Sequence, residues 1–187
     1  MRRHLLVGLL AVGLASCAAP RLHVYVLSSS GLAGSPLLEP LPSDVIEVRP
    51  VLLPDHLDGS GLLRRVAPDE LVASPNGRWG DRLSVGIRQA LAADLQALLP
   101  QADLVTTSPL QPDFRRLDLT VSRFEPAPDG TLTLDASWTI DATRGPAQAI
   151  RRRAHLVGPV GAGDQAQVAA MSALLQQLAG LIAPDLR

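Results

Sequence analysis

Cysteine is nearly absent from this chain. Cys17 stands alone among 187 residues, lysine does not occur, and aromatic residues make up only 3%. One thiol closes no intrachain disulfide, so no disulfide framework supports the fold. So few aromatics leave little from which to build stacking platforms for bases or sugars. A net charge of −1 gives no basic face to neutralise phosphates, which excludes nucleic acid as a partner. The basic side chains are all arginine, and no function is drawn from that. Patterns of the CxxC, HExxH and GxSxG kind are missing, and His4, His23, His56 and His155 lie far apart. The sequence therefore nominates no metal, no cofactor and no catalytic group, and an enzyme is not expected.

What is present begins at the N-terminus. Arg2-Arg3-His4 and an apolar run from Leu5 to Leu14 form the n-region and h-region of a secretory signal. The run is too short for a transmembrane helix, which needs about 20 apolar residues. Leu14-Ala15-Ser16-Cys17 resembles the lipobox of bacterial lipoproteins, and acylation of a new N-terminal cysteine accounts for a lone thiol in an exported protein. A conventional cleavage site using Ala15, Ala18 or Ala19 is the competing reading, and it would leave Cys17 discarded or free. On the lipobox reading, residues 1–16 are the signal, 17–21 a lipidated tether, and 22–187 a single periplasmic domain long enough for a continuous core. Hydrophobic content of 47% and charged content of 19% describe a folded globular chain.

The pattern along the mature chain alternates between strand and helix. His23 to Leu27 reads as a first strand, and residues 28–42 as a loop rich in serine, glycine and proline. Val45 to Leu53 is a strand that Pro50 places at an edge or bends. Leu62–Val66 and Glu70–Ala73 flank a turn at 67–69, and Ser74-Pro75-Asn76-Gly77 reads as the turn closing that hairpin. The period then becomes 3.6: Trp79, Leu83, Ile87, Leu91, Leu95 and Leu98 share one helical face, ended by Pro100. Leu117–Ser122, Leu132–Ile140 and Gln148–Val157 form an antiparallel meander, with Leu134 on its core face and Thr133 on the other. Asp164 caps a final helix through Ile182, stopped by Pro184. The expected fold is α+β, a mainly antiparallel sheet with two helices packed on one face.

Individual residues that invite a functional reading have plainer ones. Trp79 and Trp138 lie on apolar faces and read as core before they read as partner anchors. Arg151 and Arg153 face one way from their strand and Arg152 the other; a solvated edge is preferred to contact with anionic head groups or an acidic partner. Gly158 to Asp164 lacks the Gly-Lys-Ser/Thr ending of a phosphate loop, and Asp164 would repel phosphate. Asp55, His56 and Asp58 read as a solvated turn, since nothing supplies the remaining ligands of a metal site.

In order along the chain come the tyrosine strand His23–Leu27, Leu53-Pro54, His56-Leu57-Asp58, Leu62–Arg65, Arg78-Trp79-Gly80-Asp81-Arg82-Leu83, and Asp118–Glu125. In this order they resemble the ABC-type transport auxiliary lipoproteins of the PqiC/YmbA kind. His56 stands where that family commonly has tyrosine, and Gly59 where an arginine often follows the aspartate. The resemblance implies a non-catalytic lipoprotein at the outer membrane, facing the periplasm. Its implied partners are an MCE-domain protein and an inner-membrane ABC transporter or PqiA-like complex, which together move lipid between membranes. A homo-oligomeric ring would suit a symmetric partner. Loops on a rigid scaffold commonly carry binding, which makes Asp55, Leu57, Asp58 and Asn76 the candidate partner-binding residues. The rival readings are a periplasmic lipid carrier and an envelope hydrolase.

Overall fold

A computed structural model of the chain describes residues 21–29, 44–110, 112–142 and 149–187. Cys17, the signal segment and most of the loop expected at 28–42 lie outside the described residues. Among the described residues the fold is α+β, with two helices and eight strands. The strands are β1 (His23–Tyr25), β2 (Asp44–Val48), β3 (Gly61–Ala67), β4 (Glu70–Trp79), β5 (Ala102–Val105), β6 (Arg115–Pro126), β7 (Thr131–Ala142) and β8 (Ile150–Pro159). The helices are α1 (Leu83–Leu98) and α2 (Asp164–Ile182), the latter followed by a 3-10 turn, Ala183–Leu186.

The strands divide into a five-stranded sheet, β5-β2-β6-β7-β8, and a three-stranded one, β1-β4-β3. The expected meander is the β6-β7-β8 part of the larger sheet, and its long antiparallel ladders dominate. Short parallel ladders were not anticipated: β2 joins β5 and β6 in parallel, and β1 joins β4 in parallel. Pro50 does bend its strand. β2 ends at Val48, and the chain rejoins β6 beyond the proline, where the Leu52 amide donates to Leu119 O at 3.0 Å and Val121 N donates to Leu52 O at 2.8 Å.

Alternation decides which side of β7 is core. Leu132, Leu134, Ala136, Trp138 and Ile140 are all buried and share one hydrophobic core with Ile87, Leu91 and Leu95 of α1 and Leu174, Leu175 and Leu178 of α2. Thr133 lies on the opposite face, as the alternation requires, yet it is only 5% exposed. Its cross-strand neighbours are Val157 and Glu125, and Glu125 is buried by an arginine reaching over from β3, so this end of the outer face is covered. By length and composition α2 could cross a membrane, but it is the core helix, packed against α1, β7 and β8.

Two sequence expectations need correction around Ser74–Trp79. That segment is not a turn; β4 runs through it to Trp79, which is therefore strand and not helix, although it is buried as expected. Between the pairs Leu63↔Ala73 and Gly61↔Arg78 the β4 side carries extra residues, a bulge. Ser74 Oγ organises it, accepting the Gly77 amide at 2.9 Å and donating to Asp164 Oδ2 at 2.6 Å. A Cβ on Gly77 would stand 2.4 Å from that carboxylate oxygen, so only glycine fits. Asp164 is thus the first residue of α2 and binds the bulge; the capping position belongs to Gly163, whose φ of 88° suits glycine. Leu98, expected on the apolar face of α1, is 41% exposed, and Leu99 just beyond the helix is buried in its place.

Candidate functional site

The candidate partner-binding residues fall into two groups. Asp55 is exposed at the tip of a turn closed by the Leu57 amide on Pro54 O at 2.9 Å, and Asn76 is half-buried on the β4 bulge. Leu57 and Asp58 are structural instead. Leu57 is 2% exposed and belongs to the core, so it offers a partner nothing. Asp58 Oδ1 accepts the Ser84 amide at 2.8 Å and Oδ2 pairs with Arg82. Arg82, the capping position of α1, makes no side-chain cap, and Asp58 supplies one from another segment.

Burial pushes the Asp58 carboxyl up, but the Ser84 amide and the Arg82 guanidinium outweigh it, and the group titrates below its ordinary value of 3.8. A lowered folded-state pKa means that the stabilisation is complete above the unfolded value and lost as pH falls through the folded one. Asp58→Asn is therefore expected to cost about 1 kcal/mol at neutral pH. The gap to the wild type should narrow as pH falls below the ordinary carboxylate range, as urea midpoints at neutral and at acid pH would report.

The segments that drew attention in the sequence converge here. Gly80 N donates to Tyr25 O at 2.8 Å, and Trp79 N donates to Ser60 O at 2.8 Å. Arg78 Nη1 donates to Ser74 O at 2.6 Å and Gly77 O at 2.7 Å. The tyrosine strand, the loop carrying Asp58, the bulge and the start of α1 thus meet at one junction. A cleft of about 60 Å³ remains there, lined by Tyr25, Leu27, Trp79, Leu83, Gly86 and Gln89 among others. That volume suits about two water molecules and no acyl chain.

Elsewhere the chemistry is sparse. Among the described residues, no three His, Cys, Asp or Glu side chains gather to hold a metal. His155 Nδ1 and Asp135 Oδ1 approach to 2.5 Å, but they are directly opposed residues on the open face of β7 and β8, a cross-strand pair with the imidazole 67% exposed. Arg152 lies on the core side of its strand near Asp185 at 3.8 Å, where Trp138 Nε1 also donates at 3.2 Å; Arg151 and Arg153 face solvent on the other side.

The model of a family described as the ABC-type transport auxiliary lipoprotein component matches residues 25–183, from the tyrosine strand to the end of α2. The chain belongs to that family. Its members are auxiliary lipoproteins of ABC-type transport, and the junction just described is built from the segments that carry the resemblance. Among curated relatives, the intermembrane transport lipoprotein PqiC of Escherichia coli K12 is 26% identical over 137 residues, 73% of each chain. PqiC of Shigella flexneri matches equally. Among solved structures, an uncharacterized protein superposes with a TM-score of 0.75 at 24% identity, covering 89% of this chain and 99% of its own. A Xanthomonas campestris protein gives 0.64 at 15% identity, with 88% and 94% covered. Those two likenesses show the fold alone.

Proposed function

We propose that the protein is a non-catalytic subunit of an intermembrane lipid transport system. Signal residues 1–16 are removed, acyl chains on Cys17 hold it to the outer membrane, and residues 22–187 fold as one unit facing the periplasm. That unit docks an MCE-domain protein supplied by an inner-membrane ABC transporter or PqiA-like complex, and repetition around a homo-oligomeric ring would match a symmetric partner. The observation that carries this reading is the family match across residues 25–183. The name of the PqiC relatives, intermembrane transport lipoprotein, supports a role in transport between membranes.

Asp55 and Asn76 are the positions at which to test docking, because Asp55 is exposed and Asn76 is only half-buried. Photocrosslinkers placed there in living cells should capture an MCE-domain partner. Capture should fall when Cys17→Ser releases the protein from the membrane, since several acyl chains anchor firmly and none does not. Failure to capture, together with turnover of an envelope substrate or a stoichiometric lipid on the purified protein, would replace docking with one of its rivals.

A further inference from the structure

Leu22, Val24 and Val26 are 62%, 64% and 64% exposed, an aliphatic row on the strand nearest the proposed lipid anchor. They alternate with His23 and Tyr25, so all three project from one side of the β1 segment. Tyr25 turns inward beside Trp79, whereas Val24 and Val26 converge over Gly80, where an added Cβ would lie 3.2 Å from a methyl of each. Covering such a row with water is unfavourable, at about 25 cal/mol per Å² of apolar surface.

The length of chain between this row and the anchor limits what can cover it. Leu22 follows Cys17 by five residues, which span at most about 18 Å when fully extended. We infer that Leu22, Val24 and Val26 rest on the lipid bilayer itself, as a second, non-covalent contact beside the acyl chains. The inference rests on lipidation of Cys17. Arg21 and His23, exposed on the other side of the segment, leave the row itself wholly aliphatic, as suits side chains that enter between phospholipid head groups. The covalent anchor holds the row near the surface, so even a weak contact is populated. The acylated domain is then seated at a fixed tilt.

The test uses the full chain, purified with its acyl chains and reconstituted into vesicles of phosphatidylethanolamine and phosphatidylglycerol. Part of the phospholipid carries bromine on its upper acyl carbons. Val24→Trp emission, after subtraction of the wild-type signal from Trp79 and Trp138, should fall at least about two-fold with brominated lipid. Val26→Trp should behave alike and guards against misfolding of the first variant. Leu110→Trp, at another fully exposed leucine, should be unaffected. Equal emission with and without bromine in both valine variants overturns the bilayer contact, as does protection of the row by a second copy, seen as disulfide-linked dimers of Val24→Cys. Intact mass of the same preparation reads acylation separately. An acylated protein without quenching loses the contact and keeps the anchor, whereas an unmodified Cys17 removes both.

Discussion

Leu134→Asp is expected to abolish the cooperative unfolding transition, leaving a chain that is unfolded or aggregated at room temperature. Leu134 is wholly inaccessible to water and lies between Phe124 on β6 and Leu156 on β8. A carboxylate there meets no partner, so it is either buried charged or protonated and still unsatisfied. Added to the lost packing, the cost reaches about 4–5 kcal/mol or more, a large part of the roughly 5–15 kcal/mol that holds a typical domain folded. Ser137→Asp, three residues along and on the exposed face opposite Thr120 and Arg153, should change stability by less than about 0.5 kcal/mol. Urea denaturation followed by circular dichroism distinguishes them, and equal effects would mean that the register of β7 is wrong. Thr133→Asp, which alternation alone would pass as harmless, should resemble Leu134→Asp in direction because its face is covered.

The second large effect is expected from Arg65→Met. Arg65 on β3 donates from Nε and Nη2 to Glu125 Oε1 on β6, at 3.1 and 2.8 Å, and from Nη1 to Pro68 O at 2.5 Å. The Glu125 side chain is only 2% exposed and is otherwise held by Arg123 at 3.2 Å and the Phe124 amide at 3.0 Å. This contact joins the small sheet to the large one. Removing the arginine leaves a buried carboxylate with one weaker cation, which costs about 3–5 kcal/mol where a buried pair is broken on one side. Removing both charges should restore much of the loss, because the desolvation of Glu125 disappears with its carboxylate. In chemical denaturation, Arg65→Met/Glu125→Met should therefore be more stable than Arg65→Met. Simple additivity of the two single substitutions would show that the groups do not interact.

The helices and the meander were legible in the sequence because their signals are local. Leu132 to Ile140 alternate over a full strand, and the 3.6 period from Leu83 to Leu95 needs no knowledge of what lies opposite. Pairing of distant segments leaves no such mark. Ala102–Val105 is too short and irregular to announce a strand, yet it adds to β2 in parallel. Ser74-Pro75-Asn76-Gly77 has the composition of a turn, but Ser74 Oγ and the Asp164 carboxylate hold it as a bulge within a strand. At the candidate site, a turn sequence correctly suggested exposure for Asp55. It could not reveal that Leu57 dips into the core, or that Asp58 caps a helix beginning 25 residues later at Leu83.

The parallel ladder between β1 and β4 also governs how the molecule bears tension. It joins His23, Val24 and Tyr25 to Gly77, Arg78 and Trp79, and Gly80 N on Tyr25 O and Ser28 N on Ser172 Oγ extend the attachment. A pull on the N-terminal tether in line with β1 drags the strand lengthwise past its neighbour, so these hydrogen bonds share the load in shear instead of opening one after another like a zipper. Survival under such a pull is set by the rate at which the ladder ruptures and not by the equilibrium stability of the core. On the proposed anchoring through Cys17, a partner tugging the domain away from the membrane would load this β1–β4 ladder before it loaded the five-stranded sheet or either helix.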